Sequence, residues 1–443
     1  MANLTSFRGV LYDPTVVKDI ANVVAPPYDI IDANYQKALY VRHPNNIIRL
    51  ELGMDESGDS PTKNRYTRAA EFLTAWLKSG ALRRDTQPSL YLYMIEYRPP
   101  SDDAAISLRT LKGFFSTVEL EDFGTGRIFP HENTRSAAKA DRLNLLEACQ
   151  ANFSAIFSLY SDPDNRVMQV LEKSVDLKHP LLDFQDDAGL RQRLWSISDP
   201  AVVRAVHDLM QPKPLFIADG HHRYETSLRY RQLRREREAA RPKGDTGLQP
   251  YDSVLMLFAA LEDPGLTVLP THRVLTHTLP ELDTIKAILE NAFDIREIPF
   301  QPSEKDAQSG FLRALRTQGQ SGTVFGLAVQ GARAYFVLSL RPSHRPPARA
   351  SERDKLDVSI LQQEIVATLC PTSVEQEAIV YTKDDHEALD LVQQGKATGA
   401  LLLNPTKVSE VRAVAASGGR MPHKSTYFFP KPLTGLVINL MEE

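Results

Sequence analysis

Residues 215–231, Leu-Phe-Ile-Ala-Asp-Gly-His-His-Arg-Tyr-Glu-Thr-Ser-Leu-Arg-Tyr-Arg, leave the backbone few choices. Leu215 to Ala218 is a short apolar run after Pro212 and Pro214, and it reads as a buried strand. From His222 to about Ala239 neither proline nor glycine occurs, and Tyr224, Leu228 and Leu233 place apolar groups on one helical face among many charges. The chain must therefore pass from strand to helix through a tight turn at Gly220. Asp219, His221, His222 and Arg223 sit at that junction, where unpaired backbone N–H groups and the helix dipole favour an anion. The plain alternative is a capped helix start, with Asp219 accepting from the first-turn N–H groups. Asp, Gly, two His and Arg in succession after a buried strand favour a site for phosphate or another oxyanion.

A chain of 443 residues is too long for one ordinary core, so two or three domains are expected. Its 42% apolar and 24% charged residues are those of a globular protein. The net charge of −4 gives no basic excess, so neither nucleic acid nor an anionic membrane is an expected partner. Cys149 and Cys370 are far apart and outside any metal-spacing motif, which fits a reducing compartment. No 18-residue apolar stretch occurs, and a cytoplasmic location is expected.

Taken in order, Phe7 to Tyr12 reads as a strand, and Pro26 and Pro27 form a stiff loop presenting Tyr28 and Asp29. Ile47 to Leu52 reads as a strand carrying Arg49 and Glu51 on one face, paired with each other. Tyr66 to Ser79 is a helix; Ser89 to Arg98 and Leu111 to Leu120 are partner strands around an exposed loop. A helix is expected from about Ala188, and another from Asp199 to Met210. Arg234 to Leu248 reads as a solvated helix end and exposed loop. From Leu282 to Leu340 the order is helix, strand, helix, strand, strand. The expected division is a core of residues 1–275 with the phosphate motif, a small α/β insertion or lid at 276–345, and a segment at 346–443 returning to the core. The fold class is α/β, as mixed α+β.

Two more constellations carry chemistry. In 130–146, His131, Glu132 and Thr134 lie in a loop, and Lys139, Asp141 and Arg142 open a helix. A carboxylate beside an imidazole, followed by cations, suits a general base next to a phosphate clamp; a solvated charged helix start is the alternative. In 421–431, Lys424, Ser425 and Thr426 resemble the end of a phosphate loop without the glycine spacing of a Walker A motif. One lysine and two hydroxyls facing an anion, or an aromatic core strand, fit that stretch equally.

With Ala25 to Asp29, these segments (Pro130 to Thr134 with Asp141 and Arg142, Ala218 to Arg223, and Met421 to Lys431) resemble the bacterial and archaeal domain of unknown function 1015 family. The resemblance spans nearly the whole chain. Asp219 to Arg223 is also similar to the signature of the ParB and sulfiredoxin superfamily, whose strand-turn-helix corner binds nucleotide phosphates and whose members include free serine kinases. That resemblance implies a ParB/sulfiredoxin-like core in which Gly220, His221, His222 and Arg223 contact phosphate.

The resulting expectation is a phosphotransferase acting on a small hydroxyl compound, free L-serine first, with ATP, ADP or pyrophosphate as donor and Mg²⁺ as cofactor. Lys424 and Arg142 would neutralise developing charge, with His131, Ser425 and Thr426 beside them as further phosphate ligands. Glu132 would take the hydroxyl proton, and Asp219 would orient His222 or hold Mg²⁺ through water. Rival readings are a phosphatase releasing serine from phosphoserine and a nucleotide-binding regulator without catalysis.

Overall fold

The computed structural model describes residues 3–100, 107–124, 126–132, 136–239, 247–370, 379–422 and 424–441. Thr134 and parts of the two expected loops (101–106 and 240–246) lie outside them. The chain divides into two compact units. The first comprises Met1–Pro130, Thr134–Thr267 and Pro430–Glu443, and the second comprises His131–Asn133 and Val268–Phe429. Both are mixed α+β.

The first unit is built on a nine-stranded sheet. Its strands run in the order Ile128–Phe129, Leu215–Asp219, Ile156–Tyr160, Ser253–Ala260, Arg109–Glu119, Leu90–Tyr97, Arg191–Ile197 and Leu182–Gln185, with Leu4–Thr5 added to Arg109–Glu119. Alternation fixes the register: Leu90, Leu92 and Met94 enter one core with Phe114, Val118 and Phe258. The Phe114 and Phe258 rings stack at 5.2 Å in its centre. The expected partnership of the two long strands holds, with Leu92 opposite Phe114.

The strand Leu215–Asp219 is buried through Ala218 and is followed at once by the helix His221–Ala239. Tyr224 anchors that helix, its hydroxyl donating to the Glu121 carbonyl at 2.7 Å. Tyr230, two turns on, is also buried.

Two expected elements of this unit differ. Residues 47–52 are not a strand: Ile48–Glu51 is one helical turn, because the Asn46 side chain accepts from the Ile48 N–H at 2.9 Å and starts it. Glu51 consequently points into the interior and pairs with Arg142, while Arg49 donates to the Tyr40 carbonyl and lies over the Tyr40 ring. No helix begins near Ala188. Asp186 accepts from the N–H groups of Ala188 and Leu190, Gly189 takes φ 78°, and the turn leads into the strand Arg191–Ile197.

The second unit holds a six-stranded sheet in the order Phe293–Pro299, Ala334–Leu340, Val324–Val329, Gly399–Leu403, His272–Leu275 and Ile379–Thr382. The helices Glu304–Gly319 and Asp385–Gln393 pack on it through Phe311, Leu312, Leu315, Leu389 and Val392. The expected order of elements between Leu282 and Leu340 is the observed one. Among the described residues no helix is long and apolar enough to cross a membrane.

Candidate functional site

The strand-turn-helix corner lies in the first unit. Gly220 takes φ 95°, a conformation that disfavours any side chain, and a Cβ there would stand 2.9 Å from Arg223 Nε. The arginine therefore folds back over the glycine. Its Nη2 donates to Asp219 Oδ2 at 2.5 Å and its Nη1 to the Ala155 carbonyl at 2.6 Å. The other Asp219 oxygen accepts from Lys431 Nζ at 2.6 Å, and the same ammonium reaches Asp29 Oδ2 at 3.2 Å. Burial alone would raise the Asp219 pKa, but Lys431 and Arg223, with a contribution from His221, outweigh it and hold the carboxyl far below its usual range. Asp219 is thus a fixed anion between two cations. His221 is buried and His222 half-buried beside it.

A second charged cluster belongs to the same unit. Arg142, 6% exposed, donates from Nη1 to the carbonyl and side chain of Glu51, and from Nε and Nη2 to Asp141. Asp141 also accepts from Arg65 at 2.6 Å and from the Tyr66 hydroxyl at 2.8 Å. The Tyr28 ring closes over the Arg142 guanidinium at 4.2 Å. Burial pushes the Glu51 carboxyl up, with Arg142 and Arg223 opposing it, and Ser154 donates to the same oxygen that Arg142 holds.

Glu51, Arg142, Ser154, Arg223, Thr226 and Ser227 are among the residues lining a cavity of about 40 Å³. That is room for a water or two, not for a nucleotide. Arg223 Nε and Thr226 Oγ1 are buried there with no hydrogen-bond partner among the described residues.

The remaining sequence candidates belong to the second unit. His131 Nε2 lies 3.2 Å from Thr426 Oγ1, and the Met421 N–H donates to the His131 carbonyl at 2.6 Å. Glu132 Oε1 accepts from the Lys424 N–H at 3.1 Å. Lys424 takes φ 55°, unusual for a residue with a side chain, and Ser425 is buried with its hydroxyl on the Pro422 carbonyl. Sequence residues 131–132 and 424–426, nearly three hundred positions apart, thus form one cluster.

The corner therefore brings Asp219, Gly220, His221, His222 and Arg223 together, with Arg142 in the adjoining network. Sequence reasoning passed over Lys431 as an Asp219 partner, although Pro430 and Pro432 bracket it as rigidly as Pro26 and Pro27 precede Asp29. It also assigned Glu51 to the wrong arginine.

A family model described as a protein of unknown function, DUF1015, matches residues 4–359. No curated protein sequence matches the chain. Among solved structures, the chain is similar at 12% identity to a conserved hypothetical protein from Pyrococcus furiosus, covering 73% of this chain and 93% of that one with a TM-score of 0.32. A free serine kinase in complex with AMP is also 12% identical, over 71% of this chain and 86% of that one, TM-score 0.33. SbnI with a C-terminal truncation, from Staphylococcus aureus, is 11% identical over 72% and 85%, TM-score 0.34.

Proposed function

The chain belongs to the DUF1015 family of proteins of unknown function, and we propose that it is a phosphotransferase acting on a small hydroxyl metabolite, with free L-serine the first candidate. The observation that carries this reading is the Asp219–Gly220–Arg223 corner. A buried strand ends at a positive-φ glycine, a 19-residue helix starts at the next residue, and two cations are fixed at that start. The first-turn N–H groups and the helix dipole supply a cradle for phosphate, and phosphoryl transfer requires positioning and charge stabilisation above all. In this scheme Gly220, His221, His222 and Arg223 hold the donor phosphates, from ATP, ADP or pyrophosphate. Asp219 keeps Arg223 and Lys431 in place.

Arg142 does not keep its expected part in neutralising developing charge, because its Nε, Nη1 and Nη2 all donate to Glu51 and Asp141, whereas Arg223 keeps one nitrogen, Nε, without a partner among the described residues. It acts as a support for the corner. Glu132 remains the proposed proton acceptor, to be tested by its own variant, and Lys424 the proposed charge neutraliser.

Magnesium fits less well as a protein-held ion. Asp219 is bonded to two cations, and no group of three or more His, Cys, Asp or Glu residues suited to a metal occurs among the described residues. Mg²⁺ belongs to this proposal only as a companion of the donor phosphates, and no step is assigned to it.

The test is calorimetric titration with ATP, ADP and pyrophosphate, with and without L-serine, followed by assay for phosphoserine. Phosphoserine formation supports the reading and names its donor. Donor binding without turnover replaces it with a nucleotide-binding regulator. Hydrolysis of added phosphoserine without donor replaces it with a phosphatase.

A further inference from the structure

Arg273 poses a problem that Arg142 does not. Both are buried, at 3% and 6% exposure, yet Arg142 is compensated by Glu51 and Asp141 whereas no carboxylate among the described residues pairs with Arg273. Arg273 sits in the second unit on the strand His272–Leu275, between Gly399–Leu403 and Ile379–Thr382. Its Nη1 donates to the Thr271 carbonyl and its Nη2 to the Lys424 carbonyl at 3.3 Å, while the Tyr381 ring lies 5.4 Å from Cζ. Carbonyls and a ring face are neutral partners. Burial, opposed only by Tyr381, pulls the guanidinium down to about 10. A buried cation without a counter-charge is costly, and an anionic ligand would supply the missing charge.

A second observation points the same way. Thr271 is 5% exposed, and its Oγ1 is buried without a hydrogen-bond partner among the described residues. Residues 271 and 273 alternate with His272, which faces the other way to Asp385 at 2.8 Å. One donor hydroxyl and one uncompensated guanidinium thus lie two residues apart, where the chain enters the strand His272–Leu275.

We propose that Arg273 and Thr271 form an oxyanion-recognition site in the second unit, taking a small carboxylate or phosphate. The guanidinium supplies a fork that matches either group, and the threonine hydroxyl adds one donor. The site is independent of the phosphate corner and does not rest on the phosphotransferase reading.

The experiment is calorimetric titration of the full chain with inorganic phosphate and, separately, with acetate, on wild type and on Arg273→Met, Thr271→Val and Arg223→Met. At least one of the two anions is expected to bind the Arg223→Met protein, which removes the corner from the result. Against the same anion, Arg273→Met is expected to lose about tenfold or more in affinity and Thr271→Val about threefold. Phosphate alone, or acetate alone, names the group recognised. The proposal is overturned if neither anion binds Arg223→Met, or if the Arg273→Met and Thr271→Val proteins bind as wild type does. Should Arg273→Met fail to fold by circular dichroism, Thr271→Val, which keeps the side-chain shape, decides alone.

Discussion

Lys431 holds Asp219 across 212 residues of sequence, Nζ to Oδ1 at 2.6 Å, and so ties the end of the chain to the turn at which the helix His221–Ala239 begins. The lysine side chain is 10% exposed and the aspartate 18%. A pair this sheltered is little screened by solvent, and each member depends on the other.

Lys431→Met should leave Asp219 with Arg223 as its one strong partner. The expected loss of stability is about 2 kcal/mol, the scale of a charge-assisted hydrogen bond removed from a buried partner. Urea unfolding checks it, and Asp219→Asn in the same background should cost less than it does in wild type.

Gly220→Ala should act on the corner directly. A left-handed alanine costs about 1–2 kcal/mol, and its Cβ would displace the Arg223 guanidinium, 2.9 Å away. Donor affinity is expected to fall about tenfold or more while the protein still unfolds cooperatively, as paired nucleotide titration and urea curves would show.

Much of this was legible in the sequence and some was not, for identifiable reasons. The run from Leu215 to Arg231 declared its strand, turn and helix because apolar run, glycine and charged amphipathic stretch follow without interruption. The alternation of Leu90, Leu92 and Met94 declared a strand for the same local reason. Ile47 to Leu52 misled because its alternation of apolar and charged residues also satisfies one buried helical turn, and the deciding hydrogen bond comes from Asn46 outside it. Glu51 with Arg142, and Asp219 with Lys431, are partners 91 and 212 positions apart. No spacing rule reaches that far.

Glu132→Gln separates chemistry from binding. If Glu132 takes the hydroxyl proton, turnover should fall about 10²–10⁴-fold while donor affinity stays within about twofold of wild type. Steady-state kinetics with calorimetric titration of the same preparation gives both values.

Asp385 provides a pH dependence in the second unit. Burial would raise its carboxyl, but the hydrogen bond and charge of His272, then those of Arg316, pull it down to about 2. The folded pKa lies below the unfolded value of about 3.9, so its contribution is full above about pH 5 and is lost as pH falls toward about 2. Asp385→Asn should therefore be less stable than wild type at about pH 5 by about 2 kcal/mol, and the difference should shrink steadily as pH falls further. Urea unfolding at a series of pH values measures it.

Whether the corner at Gly220 holds a phosphate donor is tested most directly by calorimetric titration of ADP, ATP and pyrophosphate into wild type and Arg223→Met, with circular dichroism to verify that both are folded. The expected result is saturable binding of one donor to wild type and at least about a tenfold loss in the folded variant. Equal affinity in the two proteins, or no binding of ADP, ATP or pyrophosphate to wild type, would contradict it.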